Sequence, residues 1–530
     1  MKKKFKRILT MLLTVLLVIS LTACSNNNKA PDQTTQNEQE EITTSKEVTT
    51  SKDELIMAID REPISLDPAD GNVAVKRLIE SNIYDTLLDF NTEMEVEPNL
   101  AESWEKLDDL TWKFNLRKGI KFHNGEELKA SDVVFSIKRQ FDISTGLGNV
   151  AQLDPDGFET PDDYTVIIRT KEPFAFVEQM MCSPGLSILN EKAVTEAGVE
   201  NHARNPIGTG PYKFAAWHAG DRIILERNDD HWGEKAKIKT IAIRIITESA
   251  SRTIDLESGG LDMTLALSNN DAERIDENPE TQLFAHTSTT IRYIAFNCAK
   301  EKLSDKRVRQ ALNYATDKEA IQKIVYGEKT SVLAISPVAP GLPGRNEDLP
   351  QYDYNVEKAK QLLAEAGYAN GLELEFMYLA NSQNNMLAEM LQSMWEQVGV
   401  KLILKPTESA ALTTALNKGE HEICVAGTSF ALNDPGDGLH RFFHSSTHGQ
   451  SSNRTNLSNS EIDKYLDEII ITSDQQKRNE LVYKVQELIH EESPMMYIAN
   501  PYTLIGASSK LRGLELKPNG YYDLSKVYFE

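Results

Sequence analysis

Between Thr111 and Leu116 apolar side chains fall at every second position, Trp112, Phe114 and Leu116, which is the period of a strand with one buried face. The segment RKGIKFHNG that follows predicts a turn, a short second strand and an Asn-Gly turn. Ser131 is then placed to cap a helix carrying Val133, Val134 and Ile137, and TVIIRT reads as a further strand. Together these predict a small α+β unit. It ends near RNPIGTGPY, a Gly/Pro cluster suited to a domain crossing.

From Tyr212 the pattern gives a hairpin (YKFAAWHAGDRIILER), a strand (IAIRII), a helix (SASRTIDLES) stopped by Gly-Gly, and a strand (LDMTL). Strand, helix and strand in that order imply a βαβ unit in a parallel or mixed sheet. A second unit lies far downstream. The helix NVEKAKQLLAEAGY carries Ala359, Leu362, Leu363 and Ala366 on one face, and the strand LELEFMYL follows it. A helix with Leu387, Met390, Leu391, Met394, Trp395 and Val398 at core spacing comes next, then the strand VKLILK. Between the units SDKRVRQALNYA turns Val308, Ala311, Leu312 and Ala315 inward, and Thr316-x-x-Glu319 has the form of a capping box. Two α/β units at opposite ends of one body predict two lobes.

The front of the chain follows neither period. MKKKFKR precedes an apolar run, Ile8 to Leu21, too short for a stable membrane span and flanked as a secretory signal is. The run ends at Leu21-Thr22-Ala23-Cys24, which resembles the bacterial lipobox, so Cys24 is identified as a lipid anchor; from there to about Ser51 the residues are too polar to fold and read as a tether. Removing residues 1–23 takes five positive charges from a net of −23 and leaves about −28, which makes nucleic acid a poor partner. Cys182, Cys298 and Cys424 are odd in number and widely spaced, and read as single thiols rather than a disulfide frame.

In open α/β sheets ligands sit beyond the carboxyl ends of strands. The strand HEICVAG runs at that end into TSFALNDPGDG, the first site candidate on physical grounds. Enzyme motifs fall short. GTSFA has Ala431 where a nucleophile elbow needs its second glycine, HEICV has Val425 where a zinc-protease helix needs its second histidine, and no phosphate or dinucleotide loop is present, so no cofactor is expected. His440, His444 and His448 are spaced i, i+4, i+8, but glycine and serine predict that the helix stops near Ser445 and moves His448 off the face. Partly exposed helix-end histidines, with no metal, are the expectation.

Several stretches together carry a family resemblance: LAESWEKLDDLTWKFNLRKGIKFHNGEELKASDVVFSIKR, NPIGTGPYKF, RNDDHWGEKAKIKTIAIRI, AFNCAKEKLSDKRVRQALNYATDKEAI and NVEKAKQLLAEAGY. In this order, over nearly everything from about Leu55, they resemble the oligopeptide-, dipeptide- and nickel-binding proteins of ABC importers, the family 5 extracellular solute-binding proteins. The resemblance implies an α/β, two-lobed periplasmic-binding-protein-like fold with mixed sheets and an extra α+β domain inserted in the first lobe. The first lobe would comprise residues 51–81, 205–303 and 494–530, the insert 82–204, and the second lobe 304–493. It implies no enzyme but a monomeric binding protein, held outside the membrane by the lipid on Cys24 and handing a peptide or peptide-like solute to permease subunits; opines, oligosaccharides and chelated metals such as nickel are the other ligand classes, and a sensor without transport is the alternative role. In peptide-binding members an aspartate four residues before the proline of an Asp-Pro pair holds the peptide ammonium. Here that pair is Asp434-Pro435, and Ala431 stands at the aspartate's place. The resemblance lines the groove with Thr428, Ser429, Phe430, Ala431, Asn433 and Asp434 on one side and with Asn72 and Ala74, in SLDPADGNVA, on the other.

Overall fold

The structure, a computed structural model, describes residues 52–530 except 71–73, 143–147, 431, 433, 450–452, 518 and 521. The expected signal and the lipid-anchor cysteine Cys24 lie outside the described residues. The first strand, β1 (Glu54–Ile59), leads to helix α1 (Ala74–Ile83) and then into an antiparallel sheet of four strands: β2 (Ala101–Lys106), β3 (Thr111–Leu116), β4 (Leu153–Asp162) and β5 (Thr165–Thr170). Their order is β2-β3-β5-β4. The alternation of β3 puts Trp112 opposite Ile168 and Phe114 opposite Val166, and α2 (Ala130–Asp142) covers that face with Val133 and Ile137 fully buried. This is the expected α+β unit, with two corrections. The short strand after RKGI is only an isolated bridge between Lys121 and Glu127. The helix starts one residue before Ser131, and its capping group is Asp132, whose Oδ2 accepts the Lys129 N–H (3.0 Å) while Oδ1 accepts that of Glu191 (2.9 Å). A carboxylate serves two helix ends where a hydroxyl can serve one.

After the short helix α3 (Val177–Met181) the chain lays down β6 (Tyr212–His218), β7 (Arg222–Arg227), β8 (Thr240–Ile245), α4 (Ser249–Glu257), β9 (Met263–Leu265) and β10 (Thr281–Thr287). The strands β8 and β9 are parallel as expected, yet they do not touch: β1 lies between them, parallel to both. The second unit comprises β11 (Thr290–Phe296), α5 (Lys306–Tyr314), β12 (Ser331–Leu333), α6 (Val356–Glu365), β13 (Leu372–Leu379), α7 (Ser382–Glu396), β14 (Val400–Thr407) and β15 (Ile423–Ser429). Here β13 pairs directly with β14 in parallel, and Trp395 of α7 is wholly buried, its indole N–H donating to the Thr316 hydroxyl at 2.9 Å. That bond explains a further correction: Thr316 is turned into the core, and Asp317 caps the next helix instead by accepting the Ala320 N–H at 2.9 Å.

Three helices, α8 (Pro435–Phe443), α9 (Ser460–Ile471) and α10 (Gln475–Glu492), precede the last long strand, β16 (Met495–Ser508). Among the described residues the main sheet has twelve strands, ordered β14-β13-β15-β11-β16-β9-β1-β8-β7-β6, with β10 and β12 also on β16. It is mixed and two-lobed. The stretch Met495–Pro501 of β16 pairs with β11 and β12, and Tyr502–Ser508 with β9 and β10. The chain therefore passes between the halves twice, at residues 288–289 and 501–502, where the Ser288 hydroxyl donates to the Pro501 carbonyl and the Asn500 amide to that of Thr290. Each half has its own apolar core, one around Leu55, Ile79, Ile241 and Ile505, the other around Leu312, Phe376, Leu391 and Trp395. Cys182, Cys298 and Cys424 are free thiols, and burial pushes those of Cys298 and Cys424 up to about 11 and about 12.

Candidate functional site

The loop after β15 begins where that strand runs beside β11: Thr428 is opposite Ile291 and Ser429 opposite Thr290. Ser429 is exposed and Thr428 half-buried, so both offer polar groups at the carboxyl end of the strand. Phe430 turns the other way. It is buried, edge-on to Phe442 with ring centres 5.6 Å apart, and lies so close beneath Gly438 that a Cβ there would stand 2.2 Å from its ring. Ala431, Asn433 and Asn72, the last expected from the resemblance on an opposing wall, lie outside the described residues; Ala74 opens α1, and its side chain is likewise outside them.

Asp434 is committed locally. It caps α8, accepting the Gly436 N–H at 2.8 Å, and its other oxygen lies 3.5 Å from the Arg478 guanidinium, both side chains being buried. Burial raises its pKa to about 6 against the opposing pull of Arg478. Arg478 in turn donates to the carbonyls of Thr472 (2.7 Å) and Ser473 (3.3 Å) and stands 5.1 Å from the centre of the Phe176 ring. Next to it the Ala175 N–H donates to the Ile470 carbonyl at 2.9 Å, so the segment before α3 is docked on α9 and α10.

The segment just before α1, which the resemblance assigns to the opposing wall, is held by charged side chains. Asp67 accepts the Ala69 N–H at 3.0 Å and both arms of the Arg139 guanidinium, which reaches it from α2. Lys76 on α1 donates to the carbonyls of Asp67 and Asp70 and pairs with Glu80 at 3.1 Å, while burial pushes the Glu80 carboxyl up to about 8. The backbone of residues 67–70 is thus held by Asp67, Lys76 and Arg139, whose side chains are nearly enclosed.

One residue that the sequence pattern does not single out belongs with this site. Arg292 of β11 is exposed and lies across the strand pair from Gly427, and its side chain has no hydrogen bond or ion pair with the described residues. Its guanidinium covers Gly427 so closely that a Cβ there would be 2.2 Å from Nη1. The signal in the sequence is a lone arginine inside the apolar alternation TIRYIAF. The assembly at the end of β15 therefore presents neutral polar groups and one cation, which suits non-covalent capture of a small polar solute carrying a negative group.

Comparison with known proteins agrees with this architecture. Residues 95–450 match the family described as bacterial extracellular solute-binding proteins, family 5 Middle. A curated relative from Haemophilus influenzae, named heme-binding protein A, is 30% identical over 98% of each chain. Among solved structures, HbpA2 from Haemophilus parasuis superposes with a TM-score of 0.82 at 29% identity, covering 90% of this chain and all of that one. The periplasmic binding protein DppA from Helicobacter pylori, in complex with the peptide STSA, superposes with a TM-score of 0.76 at 28% identity, covering 91% and 98%.

Proposed function

The chain belongs to the bacterial extracellular solute-binding proteins of family 5, a family of binding proteins that serve ABC importers, and from that premise we propose that it captures a peptide or peptide-like solute between its lobes for delivery to the permease. The observation that supports this ligand class most directly is the end of β15, where Thr428, Ser429 and the unpaired Arg292 stand together. An arginine free to donate in bidentate fashion matches the carboxylate of a peptide. No aspartate stands at position 431 for the ammonium end, and Asp434 is occupied by Gly436 and Arg478. Recognition in this reading is anchored at the carboxyl end.

The hinge of the proposed trap is the pair of crossings at 288–289 and 501–502, the first before the lobe boundary at 303 and the second after the one at 494 that the resemblance implies. Ligand favours the closed form because only there do both walls contact it. We further propose that Cys24 carries the lipid that keeps the protein on the outer face of the membrane; a processed Cys24→Ala chain that still fractionates with membranes would refute this.

Calorimetric titration of di- to pentapeptides against the wild type, Arg292→Gln and Ala431→Asp tests the ligand class. The expected result is binding that weakens about tenfold on Arg292→Gln or on amidation of the peptide carboxylate, and tightens about tenfold on Ala431→Asp. Indifference to the carboxylate and to Arg292 would sink carboxyl-end recognition. A second reading, a non-peptide solute, is favoured by the name of the Haemophilus influenzae relative. Saturable binding of hemin with no binding of any peptide would replace the first reading with the second.

A further inference from the structure

His440 and His444 lie one turn apart, His440 on α8 and His444 at its C-terminal cap, with their rings stacked 9° from parallel and centres 4.5 Å apart. Facing them from α9 is Asp467, whose Oδ1 lies 3.3 Å from His444 Nε2 and 3.9 Å from His440 Nε2. One ligand atom from each of the three lies within 4.8 Å of the others. Tetrahedral coordination at about 2.0 to 2.1 Å per bond needs donor atoms about 3.3 Å apart, so side-chain rotation alone can bring the set to bonding geometry.

The surroundings hold this geometry in place. Asp463, one turn before Asp467, accepts the Ser445 N–H at 2.9 Å and the Ser445 hydroxyl at 2.7 Å, which fixes the end of α8 on α9. Ser446 Oγ lies 2.7 Å from His444 Nδ1. A proton on Nδ1 can be donated to that hydroxyl, orienting the ring with the Nε2 lone pair toward the ion; the Ser446 N–H, now 3.1 Å from Nδ1, then turns to water. The rings are half-buried, whereas Asp467 is exposed, which leaves an entry path and room for a water ligand. His448 takes no part, its Nε2 being engaged with the Leu457 carbonyl at 2.8 Å.

We propose that His440, His444 and Asp467 form a binding site for one divalent ion of the borderline class represented by Zn²⁺, tying α8 to α9 on the outside of the second half of the molecule. Two imidazoles with a carboxylate select that class over Mg²⁺ and Ca²⁺, which want oxygen ligands throughout. The site is separate from the solute site and does not rest on the reading given for it, although both lie on α8: Asp434 caps one end and the two histidines occupy the other.

The test is a titration of ZnCl₂ into the metal-free, untagged chain in competition with a chromophoric chelator. Expected is one ion per chain, retained in millimolar Mg²⁺, with affinity reduced at least about 30-fold by His440→Ala or His444→Ala and severalfold by Asp467→Asn. Co²⁺ should give visible absorption bands that change on Asp467→Asn. Should removal of the cap in His444→Ala perturb the fold, His440→Ala carries the test, because the His440 side chain makes no hydrogen bond among the described residues, and its carbonyl, which accepts the His444 N–H at 3.0 Å, is kept in the variant. Zn²⁺ affinity unchanged in the His440→Ala variant, or lost to millimolar Mg²⁺ in the wild type, overturns the proposal.

Discussion

His123 shows how one side chain can tie the α+β unit to the rest of the molecule and make that tie sensitive to acid. Its Nδ1 accepts the Gly208 N–H at 3.2 Å, so the proton sits on Nε2, which donates to the Gly210 carbonyl at 3.0 Å. A second proton would face an N–H, and burial, the larger cause, lowers the pKa from 6.5 to about 4. The folded pKa lies below the unfolded one. The contribution is therefore complete above pH 6.5 and is lost as pH falls from 6.5 through 4, by about 2 kcal/mol after allowance for partial exposure. Glutamine can make both hydrogen bonds without titrating. Urea unfolding of His123→Gln should match the wild type at pH 7.5 and show a shallower loss between pH 6.5 and 4; identical slopes would exclude His123 as a source of acid sensitivity. At this scale the sequence was opaque. Nothing near His123, Asp434 or Arg292 in the chain announces Gly208 and Gly210, Arg478 or Gly427, because a side chain's partner on a distant segment leaves no local pattern.

Elements were far more legible, since periodicity is local. The alternation in β3, the helical stripe of α7 and the direct pairing of β13 with β14 follow from positions within a few dozen residues of one another. What escaped was the insertion of β1 between β8 and β9, because a strand's neighbour across the sheet need not be its neighbour in sequence. The caps at Asp132 and Asp317 escaped for a related reason: tertiary contacts decided which of two adjacent polar residues faced the helix end. Two glycines at close approaches give a paired prediction for the site. In Gly438→Ala the new Cβ meets the enclosed Phe430 ring, which has nowhere to go, so a destabilisation of about 1 to 3 kcal/mol is expected. In Gly427→Ala it meets only the exposed end of Arg292, which can swing aside. Thermal melts should show a lowered midpoint for the first and little change for the second, with solute affinity falling in the second alone among folded variants. A melting midpoint for Gly427→Ala as low as that for Gly438→Ala would show that Arg292 is pinned rather than free.

For the whole molecule, the segment Ala175–Phe176 against α9 and α10 is the contact on which the proposed closure depends, since it joins the α+β unit to the second half through Ile470 and Arg478. If it forms only on closing, Phe176→Ala should weaken apparent solute affinity about tenfold or more while leaving the unfolding free energy of the ligand-free protein nearly unchanged. A loss of about 3 to 5 kcal/mol of ligand-free stability, as for a permanently buried phenylalanine, would show that the contact never opens. X-ray scattering with and without saturating solute gives the same answer from the radius of gyration. The strand β16 has a further consequence, one of timing. It comes from the last part of the sequence and sits near the middle of the sheet, flanked by β11 and β9 and touching β10 and β12 as well. A chain that leaves a ribosome or threads a translocon amino end first has every other strand of that sheet available before the one that joins its halves. Until β16 arrives both halves carry an unpaired edge, and such non-local pairing is slow to form. The same two crossings about which the proposed closure turns are therefore completed last, and the nascent chain reaches its final pairing only when the segment 495–508 is free to enter the sheet.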